Sequence, residues 1–354
     1  MLMEQLENQN TPKEQGYRFP AEWEKHNATW LSYPHVDSYS WPDKLAQIFP
    51  FYNQFIGVLS KGEKVCINVR NSELRDSVYR ELKALHLDLA NIDIYIHPTN
   101  DAWCRDYGPA FLVNKTAKEP KIIVSWNYNA WGEKYPHELD EQIPGIIGMQ
   151  LGVPVYYPGI VMEGGAVEFN GKGTILTTAA CLLNENRNPL LNQARIENYL
   201  YQYYGAEQIL WLGEGIDGDD TNGHVDDITR FFREDAVLTV VETDKSDPNH
   251  RILKENLKML KTMRLLNGKQ LDIAELPMPT PVVFQGQRLP ASYANFYISN
   301  HAVIVPLYRC KEDDQAMSII EECFPDRKTV GIDSVEIIWG LGSFHCLSQQ
   351  EPLI

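Results

Sequence analysis

Four short segments of this chain gather residues that could do chemistry. They are "NDAWCRDYGP" (100 to 109), "VMEGGAVEFNGKGT" (161 to 174), "GDDTNGHVDDITRFF" (218 to 232) and "GSFHC" (342 to 346). Each sets a charged residue, a His or a Cys where turn residues meet an apolar run, a position that suits turn-formers and site residues alike. In the last segment Cys346 follows His345 directly. If that run is extended, the two side chains face opposite sides of a sheet, so His345 is not the thiol's partner. A nucleophilic thiol needs a base, and His224 stands in a comparably acidic, Gly-flanked context. The plainer reading makes Cys346 a small buried hydrophobe and His224 a turn histidine.

The acids extend the pattern. In an extended "HVDDITRFF", His224 and Asp226 share a face; in a helix they would diverge by about 200°. Glu163 precedes two glycines, which permit close backbone approach to a ligand or simply make a tight turn. Asp106 beside Arg105 reads most simply as a salt bridge. Asp106, Glu163 and Asp226 gathered around a thiol would raise the pKa of Cys346 and disfavour an anionic substrate. A guanidinium would fit such a cluster, because its paired N–H donors match carboxylates and its charge draws the thiol pKa back down.

The elements that must position these residues alternate regularly. Helical periodicity in "DKLAQIFPFYNQFIGVLSKG", "NSELRDSVYRELKALHLD", "NPLLNQARIENYLYQYYG", "DPNHRILKENLKMLKTM" and "EDDQAMSIIEECFPD" leads each time into a short apolar strand. "ELDEQIPGIIGMQLG" is a weaker helix because of its central Pro. Between these units lie β-branched runs such as "KIIVSWNY", "GTILTTAACLL", "DAVLTVVETD" and "HAVIVPLY". A repeat of roughly forty to sixty residues, with no long linker, predicts one domain built as an α/β array about a central axis. Periodicity alone leaves a doubly wound sheet open. No GxGxxG or Walker pattern follows a strand, so nucleotide binding has no support.

With 354 residues, 44% apolar and 23% charged, the chain has the composition of a globular protein. Its net charge of -16 disfavours a nucleic-acid partner and favours a cationic ligand, though acidity also serves solubility alone. No apolar run approaches a membrane span. Residues 1 to 15 read as a flexible leader with no secretory h-region, and residues 16 to 354 as the single catalytic domain; the expected compartment is cytoplasmic. The six cysteines include no CxxC pair, so neither a disulfide framework nor a structural zinc site is expected. A homodimer is the default expectation for the assembly.

Taken together, "WLSYPH", "WCRDYGP", "WNYNAWGEKY", "EGGAVEFNGKGTILTTAACLLNENRNP", "GHVDD", "ASYANFYISN" and "HCLSQQEP" resemble, in this order, the agmatine deiminase and bacterial peptidyl-arginine deiminase family. The resemblance covers nearly the whole chain. It implies a five-bladed, pseudo-symmetric α/β-propeller of the pentein type and a cysteine hydrolase acting on guanidines without metal or organic cofactor. By position, Cys346 corresponds to the nucleophile and His224 to the general acid/base. Asp106 and Asp226 correspond to the carboxylates that grip the guanidinium, with Glu163 beside them; Trp103 and Asp220 fall where the substrate's tail and amine are lined. Ser343 replaces an Asn usual before the nucleophile, and "DTNGH" replaces E-T-D-G-H, changes expected to touch the region reading the substrate's far end.

The resulting expectation is conversion of agmatine and water to N-carbamoylputrescine and ammonia. A deiminase of free or peptidyl arginine is the nearest alternative, and would want an Arg or Lys near the mouth of the site. An amidinotransferase, a catalytically silent guanidine-binding module, and a metal hydrolase built on His224, Asp226 and Asp227 are more distant.

Overall fold

The structure, a computed structural model, describes residues 10–354. The alternating strands and helices form five small mixed sheets. One shows the plan. Strand Thr229–Arg233 runs antiparallel to Ala236–Val241, and a helix, Pro248–Thr262, then leads to Asp272–Pro277, parallel to the middle strand. The middle strand is buried along nearly its whole length, as expected of a strand covered on both faces. The helix starts where Asp247 accepts from the backbone N–H of Asn249 at 2.8 Å, and Pro248 falls in its first turn, where no N–H is needed. It buries Leu253, Asn256 and Leu260 on one face. Each leucine contributes about 1.5–3 kcal/mol of apolar burial.

The same plan recurs with middle strands Lys121–Val124, Thr174–Thr178 and Ala302–Leu307. The fifth sheet joins the two ends of the chain. Ser348–Pro352 pairs antiparallel with His26–Ser32, which is followed in parallel by Lys64–Val69 and Ile92–Ile96. The five sheets bear out the pentein-type α/β-propeller over the doubly wound alternative. Among the described residues no helix is long and apolar enough to cross a membrane.

Two local expectations change. Helix Gln193–Tyr204 is capped by Asn192, so Pro189 lies before it and not in its first turn. The doubtful helix exists as Ile143–Leu151, because Pro144 falls within its opening turn and breaks no ladder bond. Of the segment read as a leader, residues 1–9 lie outside the described residues. Its remainder is docked: Thr11 donates to Gln202 at 2.8 Å and Lys13 to the carbonyl of Ala206 at 2.7 Å.

What matters for the site is the turn before each innermost strand. These turns are Cys104–Tyr107, Gly164–Ala166, Val225–Asp227, Tyr293–Asn295 and residues 344–347. Bonds knit neighbouring turns and strands around the axis. Arg105 N–H donates to the Cys346 carbonyl at 3.0 Å, and His345 N–H to the Asn295 carbonyl at 3.2 Å. Ser292 donates to the Asp227 carbonyl at 2.7 Å, Gly165 N–H to Asp106 at 2.9 Å, and Arg230 to Glu168 at 2.9 Å. Five sheets thereby deliver five turns to one place.

Candidate active site

Cys346 does not lie in a strand. It sits in the turn that precedes Ser348–Pro352, 6% exposed, at the floor of a cleft. Its Sγ accepts from Asn295 Nδ2 at 3.0 Å and stands 3.6 Å from Asp226 Oδ2. Burial, reinforced by Asp226, Asp227 and Asp106, pushes the thiol pKa well above its ordinary value; the Asn295 N–H only partly offsets this. These surroundings therefore favour the protonated thiol at neutral pH.

His224 and Asp226 converge, but not by sharing a strand face. His224 caps the turn Val225–Asp227, and the strand begins only at Thr229. The imidazole is fully buried, with Nδ1 3.7 Å from Asp106 Oδ1 and 4.0 Å from Asp226 Oδ1. Burial opposes charge on this ring, yet Asp106, Cys181 and Asp226 outweigh it and hold its pKa well above the ordinary value. Asp106 is pushed up to about 6 by burial, with His224 opposing and Asp226 and Glu163 adding to the rise. Asp226 is held below the usual range: burial works against its charge, and His345, His224 and Arg230 prevail. The two acids thus differ in their readiness to ionise.

Asp106 does not pair with Arg105. Its Oδ2 accepts from the Trp131 indole at 2.9 Å and its Oδ1 from Gly165 N–H at 2.9 Å. Arg105 turns instead to Glu22 at 3.2 Å and Gln350 at 2.7 Å. Trp131 reaches Asp106 from a left-handed turn in which Ala130, Trp131 and Glu133 have φ of 46°, 59° and 61°. Such a conformation costs about 1–2 kcal/mol per non-glycine residue, and the surrounding bonds must hold it. Asn129 does so locally, accepting from Gly132 N–H at 3.0 Å.

Of the two glycines after Glu163, Gly164 admits the Arg105 carbonyl and Gly165 admits side chains of the site. A Cβ on Gly165 would lie 2.6 Å from His224 Nδ1, 2.8 Å from Asp106 Oδ1 and 3.0 Å from Asp226 Oδ2. Gly165→Ala is therefore expected to lower kcat/KM by at least about a hundredfold through displacement of all three groups. Steady-state kinetics, with circular dichroism to check the fold, measure this; near-normal turnover would mean the groups tolerate the shift.

Glu163 is fully buried and pairs with Arg187 through Oε1, while Oε2 makes no hydrogen bond. Trp103 walls the cleft, its indole donating to Ser40 at 2.8 Å and packing on Trp41. Gly342 permits that wall, since a Cβ there would come 2.5 Å from the Trp103 ring. Asp220 lies at the cleft's rim, half-buried, accepting from Lys134 at 2.9 Å and Tyr135 at 3.0 Å. Of the departures from the family pattern, Asp220 thus stands at the cleft, whereas Ser343 and Asn222 lie elsewhere. Ser343 is buried against Ser334 at 2.7 Å. Asn222, with φ of 70°, accepts from Arg187 at 2.8 Å and Asn186 at 3.0 Å. Asn222 thus supports the arginine that holds Glu163, and neither residue lines the cleft.

Metal-ligating types do gather: Glu163, Cys181 and His224 lie within 4.8 Å of one another, as do Asp226, Asp227 and Cys346. Glu163 is already bonded to Arg187, Asp226 to His345 and Asp227 to Asn295, so neither group is a free ligand set. Four buried atoms around His224 make no hydrogen bond within the protein: its own two ring nitrogens, Asp226 Oδ1 and Glu163 Oε2. The two carboxylate oxygens are acceptors that suit a ligand rich in N–H donors, whereas the charged His224 ring donates.

Of the seven residues proposed from sequence, Trp103, Asp106, Asp220 and Cys346 line the cleft, His224 and Asp226 are buried against Asp106 and Cys346, and Glu163 lies behind His224, held by Arg187. Sequence reasoning passed over Asn295, Trp131 and Arg187, although "ASYANFYISN", "WNYNAWGEKY" and "NENRNP" contain them. It also passed over Glu22, whose segment "PAEWEKH" carries no local signal of chemistry.

The fold and this buried set of a thiol, an imidazole and carboxylates define a deiminase-type hydrolase acting on the C–N bonds of guanidines. Residues 18–352 match the model of the Porphyromonas-type peptidyl-arginine deiminase family, and the chain belongs to that family. It is 36% identical over 349 residues to a Legionella pneumophila protein provisionally named an agmatine deiminase, covering 98% of each chain. The solved agmatine deiminase of Enterococcus faecalis superposes with a TM-score of 0.90 at 32% identity over 98% of each chain. A C. jejuni agmatine deiminase solved with substrate bound gives 0.86 at 31% identity, over 95% of this chain and 96% of that one.

Proposed function

We propose that this chain is an agmatine deiminase, releasing ammonia and N-carbamoylputrescine. The observation that carries the reading is the pair of buried carboxylate oxygens that make no hydrogen bond, Asp226 Oδ1 in the group with Cys346 and Glu163 Oε2 in the group with His224. A guanidinium offers planar N–H donors to such acceptors, and Asp106 and Asp226 fix its plane for attack. Its charge also lowers the thiol pKa that burial and the acids have raised, so the nucleophile forms when substrate arrives.

The steps then follow from positions. As the cation binds, the thiol loses its proton to solvent, and Asp226, 3.6 Å from Sγ, stays ionised. Cys346 Sγ bonds to the guanidine carbon, and the charged His224 gives its proton to the departing nitrogen, which leaves as ammonia. The amidino-thioether remains on Cys346. His224, now neutral, takes a proton from a water that adds to the same carbon, and the C–S bond breaks to release the ureido product and the thiol.

Agmatine is favoured as the substrate by the named relatives and by Asp220 at the rim of an aromatic-walled cleft. A second reading, free arginine, draws on Lys134, a cation at the same rim that would suit a carboxylate tail. Lys134 is, however, tied to Asp220 through both its side chain and its carbonyl oxygen. Asp220→Asn is expected to raise KM for agmatine about tenfold while changing that of a neutral-tailed alkylguanidine little. Parallel steady-state assays measure the difference; an equal loss for both substrates would remove Asp220 from tail recognition.

A further inference from the structure

His345, set aside on sequence because it points away from Cys346, occupies a different and specific place. Its Nδ1 lies 2.6 Å from Asp226 Oδ2 and its Nε2 2.8 Å from Glu22 Oε2. An acceptor at each nitrogen calls for a hydrogen on each. Glu22 comes from the segment that leads into the first strand, and it is held by Arg105 at 3.2 Å, Arg230 at 2.9 Å and Ile298 N–H at 2.8 Å. Arg230 in turn pairs with Glu168 at 2.9 Å. Three acids, Glu22, Glu168 and Asp226, here meet two arginines, so an imidazolium at His345 balances the buried charge. The same Asp226 oxygen that faces His345 is the one 3.6 Å from the thiol.

We propose that His345, clamped between Glu22 and Asp226, is a positioning residue that keeps Asp226 ionised and turned so that its free Oδ1 faces the guanidinium. Glu22 is the anchor that fixes the ring. Besides His345, the groups facing Asp226 are His224 and Asp227 of its own turn and Asp106, Arg230 and Cys346 from other elements, of which His224 and Arg230 carry positive charge. Loss of His345 leaves Asp226 buried beside Asp106 and Asp227 with one fewer cation. The inference rests on the reading that Asp226 grips the guanidinium.

The test compares alkylation of Cys346 by cationic 2-chloroacetamidine with that by neutral 2-chloroacetamide, followed by mass spectrometry between pH 5 and 9. In both reactions sulfur bonds to the methylene carbon and chloride leaves, so only the charge of the reagent differs. The wild-type protein is expected to favour the amidine strongly. In His345→Asn that preference falls at least about tenfold, and its acid limb moves to higher pH because Asp226 protonates more readily. Glu22→Gln, which removes the anchor but not the ring, moves both readouts in the same direction by less, and it carries the test should His345→Asn misfold. A wild-type protein without amidine preference overturns the underlying reading of the thiol and its acids. A wild-type preference retained unchanged, with an unshifted acid limb, in the folded variants overturns the role of His345.

Discussion

Cys346→Ser abolishes turnover, by at least about 10⁴-fold, while guanidine binding persists. The thiol is the group whose proton the site can remove once a cation is bound. A serine hydroxyl in the same buried, acid-lined position starts from a far higher pKa, and the charge of a guanidinium is not enough to ionise it. The binding groups are untouched, because Asp106, Asp226 and Trp103 are held by Trp131, His345 and Ser40, not by the sulfur. Titration calorimetry on the variant is therefore expected to give a dissociation constant close to the wild-type KM, with no product in the cell. A variant that retained a tenth of normal turnover would sink the nucleophile assignment.

His224→Ala is the second large loss, about 10³- to 10⁴-fold in kcat, since one ring serves as acid for ammonia and base for water. Its pH dependence has a definite sign. The raised pKa keeps the ring charged above the ordinary histidine range, so the wild-type rate falls on the alkaline side as that proton is lost. The variant is expected to lack this limb. Stability moves in parallel. A raised folded-state pKa contributes stability that is complete below the ordinary 6.5 and is lost as pH rises through the raised value. Melting curves of the wild type should decline across that window, and those of the variant should stay flatter. An unchanged alkaline limb in His224→Ala would assign the proton transfers to another group.

The sequence is informative about these residues and less so about their backbone. Helix and strand order was legible because caps such as Asn192 and Asp247 and the apolar runs repeat at regular spacing. The convergence of His224 with Asp226 was anticipated, but from an extended backbone that does not exist; a tight turn performs it. That error has a physical source. Alternating polar and apolar residues look the same in a strand and in the turn that precedes it, and only packing around the axis decides where the ladder begins. Arg105 misled for a related reason. Adjacent opposite charges suggest a pair, yet Cys104–Tyr107 directs Arg105 toward Glu22 and Asp106 toward Trp131. Asn295, Glu22 and Arg187 act through residues far away in the chain, and no local spacing could reveal such bonds.

Gly165 illustrates the limit well. Two glycines after a carboxylate are compatible with an ordinary turn. The need for the second appears only when His224, Asp106 and Asp226 arrive from two other sheets. Ser343 and Asn222 teach the converse: departures from a pattern near a nucleophile suggest altered recognition, but both are absorbed in packing away from the cleft.

The central claim is deimination of agmatine through Cys346. It is tested most directly by assaying ammonia and ureido product from agmatine, free arginine and a blocked arginyl peptide side by side, with Cys346→Ser as control. The account predicts turnover of agmatine well above the other two and none in the variant. Preference for arginine or the peptide, or product formed by the variant, would contradict it.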